Sequence, residues 1–226
     1  MSGANGRALV VFSGGQDSTT CLYWAMDRFG PDRVVALTFD YGQRHRIELE
    51  AAADVARFAG VPHVELPIDT FAALGGNALV DEQVAIEAPD SEVGELPSTF
   101  VPGRNLVFLT FAAAYAYQSG ITDLVTGVAQ TDYSGYPDCR EATLEALRRA
   151  LSLGMECDFA LHTPLMFLSK RETVELAVSL GALPALGLSH TCYEGVRPPC
   201  GRCPACVLRA KGFAEAGVAD PLLAAS

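Results

Sequence analysis

Two short apolar runs near the amino terminus place the strongest constraint on how this chain can fold. Arg7–Phe12 and Arg33–Phe39 are apolar at nearly every position rather than at alternate ones, so each predicts a strand that is covered on both faces. Ser18–Phe29 between them predicts a helix, while Arg44–Phe58 and Val61–Ile68 predict a second helix and a third strand. This alternation with short links predicts an α/β fold with a doubly wound, Rossmann-like parallel sheet.

The rest of the chain resumes the alternation after a long irregular segment. Residues 69–104 are rich in Gly, Pro and acidic residues and show weak periodicity, which is typical of a functional loop. Further elements are predicted over Asn105–Gln118 (helix), Ile121–Val128 (strand), Arg140–Leu153 (helix), Phe159–His162 (strand) and Ser169–Leu180 (helix). We therefore expect an α/β domain over residues 1–186 and a cysteine-bearing appendage over residues 187–226, with a short helix around Val207–Glu215.

Composition narrows the class of protein. The chain has 226 residues, of which 50% are hydrophobic, so it can bury a core without disulfides and is not a disordered chain. Its formal net charge of -11 disfavours a nucleic-acid partner, because proteins that bind phosphate backbones carry basic surfaces. The amino terminus lacks a signal-peptide pattern, and the apolar stretch Leu106–Tyr117 is too short to span a membrane. We expect a cytoplasmic protein without membrane association, in which this stretch forms a buried core helix.

A glycine-rich turn follows the first predicted strand directly. Its sequence is Ser13-Gly14-Gly15-Gln16-Asp17-Ser18, and the carboxyl end of a strand beside a helix amino terminus is where open α/β sheets bind ligands. The glycines let backbone N–H groups face an anion, and Asp17 beside a phosphate indicates an intervening Mg²⁺. The alternative is a plain Gly-Gly turn with Ser18 as the helix N-cap. The turn is neither a Walker A loop nor a GxGxxG fingerprint.

Four of the seven cysteines crowd into fifteen residues near the carboxyl terminus. They are Cys192, Cys200, Cys203 and Cys206. Four thiolates at CxxC spacing favour a structural Zn²⁺ site without an open coordination position. An iron–sulfur cluster remains an alternative, although its fourth cysteine usually lies downstream, and a disulfide knot is disfavoured without an export signal. We interpret Cys21, Cys139 and Cys157 as packing residues rather than nucleophiles.

Three further sites carry polar residues at positions that favour ligand binding. Arg104 begins a predicted helix, where partial positive charge makes a cation unexpected, so either a bound anion or an acidic neighbour should accompany it. Asp132 and Asp138 follow the fourth predicted strand, where they form either part of a ligand site or a solvated turn. Lys170 begins the helix whose Ser169 and Glu172 have capping-box spacing, and it could reach a phosphate.

Six segments together resemble one enzyme family. They are FSGGQDSTTCL (Phe12–Leu22), FDYGQRH (Phe39–His45), FVPGRNLVFL (Phe100–Leu109), TDYSGYPDCR (Thr131–Arg140), HTPLMFLSK (His162–Lys170) and the cysteines from Cys192 to Cys206. The first resembles the SGGxDS loop of the N-type ATP pyrophosphatases, which cleave ATP between its α and β phosphates. The YPDCR segment and the terminal cysteines narrow the resemblance to the 7-cyano-7-deazaguanine synthase family of queuosine biosynthesis.

The resemblance implies an adenine nucleotide alpha hydrolase-like fold and an ATP-dependent ligase. Such an enzyme converts 7-carboxy-7-deazaguanine and ammonia to the nitrile through adenylated carboxylate and amide intermediates, with Mg²⁺ and a structural Zn²⁺, as a homodimer. The implied nucleotide-site residues are Phe12, Ser13, Gly14, Gly15, Gln16, Asp17, Ser18, Thr19 and Thr38, with Lys170 assisting. Arg104, Asp132 and Asp138 are weaker candidates for substrate or Mg²⁺ contacts. The alternatives are a tRNA-modifying enzyme for thiolation or lysidine formation, and a non-enzymatic zinc-binding module.

Overall fold

Both amino-terminal apolar runs lie at the centre of one parallel sheet. A computed structural model of the chain describes residues 6–43, 45–74, 78–79, 98–130 and 136–224. Within these residues a five-stranded sheet has the order β3-β2-β1-β4-β5, and every neighbouring pair is parallel. The strands are β1 (Ala8–Val11), β2 (Val34–Asp40), β3 (His63–Pro67), β4 (Asp123–Thr126) and β5 (Ala160–His162). The predicted Rossmann-like parallel sheet is therefore confirmed.

The strand order reverses beside β1, which fixes where a ligand can bind. Ala8 pairs with Val34 on one side and with Asp123 on the other, so β1 lies between β2 and β4. The chain continues from β1 to β2 on one side, but it reaches β4 on the other side only after the first three strands are complete. The carboxyl ends of β1 and β4 therefore form the topological switch point of the sheet, the usual ligand crevice of such folds.

Helices cover both faces of the sheet. The α-helices are α1 (Gln16–Phe29), α2 (Ile47–Ala59), α3 (Thr70–Leu74), α4 (Arg104–Gln118), α5 (Glu141–Gly154), α6 (Lys170–Ser179), α7 (Leu183–Leu186), α8 (Pro204–Ala216) and α9 (Pro221–Ala224). Short 3-10 helices occupy Pro31–Arg33 and Pro137–Cys139. Ala8 and Val10 pack with α1 and α2, whereas Leu9 packs with α4 and α5. Burial on both faces explains why the β1 run has no polar alternation.

The starts of α6 and α1 test one expected cap and one alternative. The capping box of α6 is confirmed, because the Ser169 hydroxyl accepts the N–H of Glu172 and the Glu172 carboxylate accepts the N–H of Ser169. In contrast, Ser18 is not the N-cap of α1. The helix begins at Gln16 after Gly15, so Ser18 lies inside the first turn. The Ser18 hydroxyl instead forms hydrogen bonds with Ser13 in the preceding loop.

Helix α4 is only partly buried, which corrects the expectation of a buried core helix. Leu109, Ala112, Ala113 and Ala116 face the core, but Phe111 is 47% exposed and Tyr117 is 55% exposed. The face pattern is that of a helix lying on a sheet, with one stripe covered and the other facing outward. Among the helices of the described residues, none combines the length and the apolar character that a membrane crossing requires.

Candidate nucleotide site and cysteine cluster

Residues 13–18, which we call the phosphate loop, join β1 to α1 at the switch point. The Ser18 hydroxyl lies 3.1 Å from the Ser13 hydroxyl and accepts the Ser13 backbone N–H at 3.2 Å. Gly15 is the N-cap of α1, and no side chain caps the helix within the described part of the chain. The first-turn N–H groups of an α-helix have no intrahelical acceptor, so this end of α1 offers donors to an anion.

Gly14 allows the second helix to approach the loop closely. Its φ is +73°, and a Cβ at this position would lie 2.5 Å from the backbone nitrogen of Ala52 in α2. Gly127, which follows β4, makes a similar approach, because a Cβ there would lie 3.1 Å from the Ser18 nitrogen. Gly14 belongs to a recognisable glycine-rich turn, whereas an isolated glycine after a strand, such as Gly127, carries no distinctive sequence signal.

Asp17 and Lys170 meet at the mouth of the phosphate loop. The Lys170 ammonium donates to the Asp17 carboxylate at 2.7 Å, and both side chains are partly exposed to solvent. The second carboxylate oxygen of Asp17 is buried and has no partner among the described residues. The structure therefore brings together Asp17, predicted near Mg²⁺, and Lys170, predicted near phosphate, which lie 153 residues apart in the sequence.

Other predicted nucleotide-site residues line the base of the loop. Gln16 Nε2 and Thr19 Oγ1 are buried without a partner in the part of the chain that the structure describes. Buried polar atoms of this kind normally have a protein, water or ligand partner. Thr38 is 2% exposed, and its hydroxyl donates to the Phe12 carbonyl at 2.7 Å. A hydroxyl has one proton, so His63 Nε2, 2.7 Å away, is the donor in the second contact of Thr38.

Arg104 lies in a cluster of phenols and carboxylates. We call it the Arg104 cluster, and its other members are Tyr41, Glu48, Tyr136, Asp138 and Tyr193. The guanidinium carbon lies 5.8 Å from the centre of the Tyr41 ring. Burial lowers the pKa of Arg104, but the tyrosines and Asp138 raise it, and the net value lies above the ordinary one. The arginine therefore stays charged.

Acidic groups near the start of α4 supply the neighbour that the sequence analysis considered for Arg104. Asp138 is buried, and its carboxylate accepts the N–H of Asn105 at 3.0 Å, which caps the helix from a distant segment. Burial raises the pKa of Glu48 to about 7, although Arg104 lowers it. The sequence does not predict a role for Glu48, because it has the pattern of an ordinary first-turn glutamate. Asp132 lies outside the described residues.

Four sulfur atoms converge in the appendage. The Sγ atoms of the cysteine cluster (Cys192, Cys200, Cys203 and Cys206) all lie within 4.8 Å of one another. Sulfurs at ~2.3 Å from a tetrahedral metal are separated by about 3.8 Å, and the Cys200 and Cys206 sulfurs lie 3.9 Å apart. The Cys200 and Cys203 N–H groups each donate to a cluster sulfur at 3.4 Å. This donor set fits a closed tetrahedral metal site.

The remaining cysteines lie outside this cluster. Cys21 is fully buried, and burial raises the pKa of its thiol, so it is a packing residue rather than a nucleophile. Cys139 and Cys157 are half-buried. Asn105 Nδ2 donates to the Cys139 sulfur at 3.3 Å. In the appendage itself, Arg209 is 4% exposed and forms a two-point ion pair with Asp220, so its charge is matched there.

Comparison with known proteins gives one consistent result. A family model described as "Queuosine biosynthesis protein QueC" matches residues 7–217. Proteins named "7-cyano-7-deazaguanine synthase" are similar over nearly the whole chain. The one from Laribacter hongkongensis is 68% identical over 96% of this chain and 94% of its own length. That of Chromobacterium violaceum is 68% identical over 96% and 93%, and that of Lysinibacillus sphaericus is 51% identical over 92% and 94%.

Proposed function

Because the chain belongs to the family of the queuosine biosynthesis protein QueC, we propose that it is an ATP-dependent ligase that forms 7-cyano-7-deazaguanine. Its substrates are 7-carboxy-7-deazaguanine, ammonia and ATP, and its by-products are AMP and pyrophosphate. The observation that carries this assignment is the phosphate loop at the switch point, with the Asp17–Lys170 contact at its mouth.

Adenylation converts the carboxylate or amide oxygen of the substrate, which is a poor leaving group, into part of AMP, which is a good one. A carboxylate oxygen of the substrate attacks the α-phosphorus of ATP, pyrophosphate leaves, and an acyl adenylate forms. Ammonia then attacks the acyl carbon, AMP leaves, and loss of a proton gives the amide. In the second round the amide oxygen attacks the α-phosphorus of another ATP and pyrophosphate leaves. Departure of AMP with loss of the two nitrogen-bound protons then gives the nitrile. Each step needs positioning and charge stabilisation rather than a covalent nucleophile.

The phosphate loop is the site that we assign to the pyrophosphate. Ser13, Gly14, Gly15 and Ser18 surround the amino-terminal end of α1, where N–H groups and hydroxyls can face the β and γ phosphates. Lys170 adds a positive charge, and Asp17 positions it at 2.7 Å. When bound, Mg²⁺ would supply charge neutralisation between the phosphates and the carboxylate of Asp17. Phe12, Gln16, Thr19 and Thr38 complete the base of this proposed site.

The Arg104 cluster is the site that we assign to the deazaguanine substrate. Its Tyr41 follows the carboxyl end of β2, the strand next to β1. The cluster combines one guanidinium with phenols and the half-buried carboxyl group of Glu48. A guanidinium can bind the substrate carboxylate or ring oxygen, and aromatic rings can pack on a planar heterocycle. Asp138 serves here as the residue that orients α4, and Asp132 stays a candidate for substrate or Mg²⁺.

The cysteine cluster is the site that we assign to a structural Zn²⁺. A zinc ion bound by four thiolates has no open position, so it would stabilise the fold of the appendage rather than react. The Cys206 thiol lowers the pKa of Cys203 to about 5, which favours the thiolate that a metal requires. We also propose a homodimer that acts on small molecules without nucleic acid, which light scattering and a tRNA-binding assay can test.

Mass spectrometry of the product tests the function directly. Incubation with 7-carboxy-7-deazaguanine, ATP, Mg²⁺ and ammonium should give the nitrile, together with AMP and pyrophosphate. Release of ADP, or the absence of any nucleobase product, would contradict the proposal. A tRNA-modifying enzyme of the same fold would instead consume ATP only with tRNA, and a zinc-binding module would consume none.

A further inference from the structure

The cysteine-bearing appendage touches the phosphate loop through one backbone hydrogen bond. The N–H of His190 donates to the carbonyl oxygen of Gly14 at 2.9 Å. His190 lies two residues before the first cluster cysteine and is 2% exposed. The carbonyl of His190 also lies close to Gly15, since a Cβ on that glycine would be 3.4 Å from it. The appendage therefore forms the back wall of the Gly14–Gly15 turn.

The position of this hydrogen bond determines the direction of a donor for phosphate. The Gly14 carbonyl and the Gly15 N–H belong to one peptide plane, and in a trans peptide they point in opposite directions. Anchoring the carbonyl on His190 therefore aims the Gly15 N–H away from the appendage. It faces the Ser13 hydroxyl, 3.5 Å away, on the exposed side of the loop. This is the side from which a pyrophosphate would approach.

The side chain of His190 forms a hydrogen bond with the cysteine cluster. Its Nε2 lies 2.9 Å from the carbonyl oxygen of Cys192, which accepts the ring N–H. Buried Arg209 in α8 adds a second link, because it donates to the Ser189 hydroxyl at 2.8 Å and to the Thr191 hydroxyl at 3.1 Å. The short segment around His190 is thus held on both sides by the part of the chain that carries the metal ligands.

The same appendage supports the other half of the phosphate site. Helix α8 begins within the cysteine cluster and packs on α6, which begins at Lys170. Gly212 of α8 makes this contact so close that a Cβ there would lie 3.0 Å from the Lys170 carbonyl oxygen. One structural unit therefore supports both the loop that offers N–H donors and the helix that carries the lysine.

We propose that His190 is a positioning residue for ATP, through which the metal-bound appendage holds the Gly14–Gly15 peptide in its phosphate-binding orientation. This inference rests on the proposed function. It predicts that the metal site, although its ligands are not part of the proposed nucleotide site, sets the affinity for ATP. Loss of the His190 N–H or of the metal should raise the KM for ATP more than it lowers kcat.

Paired substitutions at one position separate the backbone contact from the side chain. His190→Pro removes the N–H, whereas His190→Ala keeps it and removes the ring. We expect the Kd of α,β-methylene-ATP, measured by calorimetry, to rise about tenfold in the proline variant and about threefold or less in the alanine variant, a difference within the worth of a single hydrogen bond. Equal affinities in the wild type and a folded, metal-loaded His190→Pro variant would overturn the inference.

Metal removal from the wild-type protein gives a second measurement if His190→Pro does not fold. Chelation should weaken binding of the same analogue by about tenfold or more while the far-ultraviolet circular dichroism of the α/β domain persists, and added Zn²⁺ should restore it. Unchanged affinity after complete metal removal would overturn the coupling. A metal-loaded wild type that binds no analogue would contradict the proposed function itself, which separates the two failures.

Discussion

The phosphate loop and the cysteine cluster are the two ligand sites that we propose, and they are built from different parts of the chain. The loop offers mainly backbone N–H groups, and the sheet and two helices hold its shape. The cluster offers four side chains, three of which precede α8 and one of which lies in its first turn. A backbone site tolerates many side-chain changes but no added volume, whereas a side-chain site depends on the identity of each ligand.

The two sites also differ in what stabilises them without a ligand. Hydrogen bonds within the loop and its attachment to the sheet are part of the fold, as in the Phe12 N–H that donates to Leu37 O at 2.8 Å. The hydrogen bond between the Cys203 and Cys206 side chains raises the pKa of Cys206 and lowers that of Cys203. We therefore expect a bound metal to stabilise the cysteine cluster more than a ligand stabilises the phosphate loop. Loss of the metal should then have the largest effect on the stability of the protein.

Replacement of one cluster cysteine tests this difference most severely. Cys203→Ser should reduce bound zinc from about one ion per chain to almost none, because three thiolates hold the metal much less tightly. We expect the thermal midpoint to fall by about 10 °C, since the loss amounts to several kcal/mol. Elemental analysis and calorimetry measure both effects. Cys157→Ser, at a half-buried position outside the cluster, is the control and should retain the metal.

At the phosphate loop, substitution of a charged side chain should lower the rate of the reaction without lowering the stability of the fold. Asp17→Asn keeps the shape of the side chain but removes the charge that faces Lys170 at 2.7 Å. We expect kcat/KM for AMP formation to fall by about 100- to 1,000-fold, as when one charge-stabilising group is removed from an active site. Asp27→Asn, on the exposed side of the same helix, is the matched control. A fall in metal content or thermal midpoint as large as that of Cys203→Ser would contradict the comparison.

The same contrast explains how much of each site could be predicted from the sequence. The strand–turn–helix at Ser13–Ser18 and the spacing of the cysteines are local patterns, so short-range geometry sufficed to predict the fold class and the four cysteines whose sulfurs converge. Helix ends were predicted to within a few residues: α1 begins at Gln16 rather than at Ser18, because Gly15 is its N-cap and Ser18 uses its hydroxyl on the loop.

Contacts between distant segments could not be predicted in this way. The Asp17–Lys170 pair and the His190–Gly14 hydrogen bond join residues far apart in sequence, and only the folded sheet brings them together. Glu48 has the local pattern of a solvated helix residue, yet packing near Arg104 places it in a partly dry environment. The sequence shows which residues can carry chemistry, and tertiary packing decides which of them meet.

Added volume at the loop should destabilise the fold more than the same change elsewhere. Gly14 and Gly60 have nearly equal φ values of +73° and +69°, but only Gly14 has backbone where a Cβ would lie. Gly60→Ala should cost about 1 kcal/mol for the left-handed conformation, and Gly14→Ala should cost about 2–4 kcal/mol because overpacking adds to it. Urea denaturation of both variants measures the difference. Equal costs would mean that α2 moves aside freely.

The smallest expected effect is a dependence of the free energy of unfolding on pH. It tests whether the fold shapes the Arg104 cluster before the substrate binds, as it shapes the phosphate loop. Burial raises the pKa of Glu48 from 4.5 to about 7, so the folded protein binds this proton more tightly than the unfolded chain does. Stability from this group is therefore present below pH 4.5 and is lost as the pH rises towards 7. Between about pH 5.5 and pH 8.5 the wild type should lose about 1 to 2 kcal/mol relative to Glu48→Gln.

Denaturation at both pH values measures this difference, and Glu50→Gln, which changes an exposed carboxylate on the same helix, is the control. A pH-independent difference between the wild type and Glu48→Gln would mean that water reaches the carboxylate and that the cluster is not preformed. If the difference has the expected sign, the Arg104 cluster holds a half-buried carboxyl group that ionises near neutral pH. Like the phosphate loop, it would then be shaped by the fold before the substrate binds, and the cysteine cluster alone would depend on its ligand.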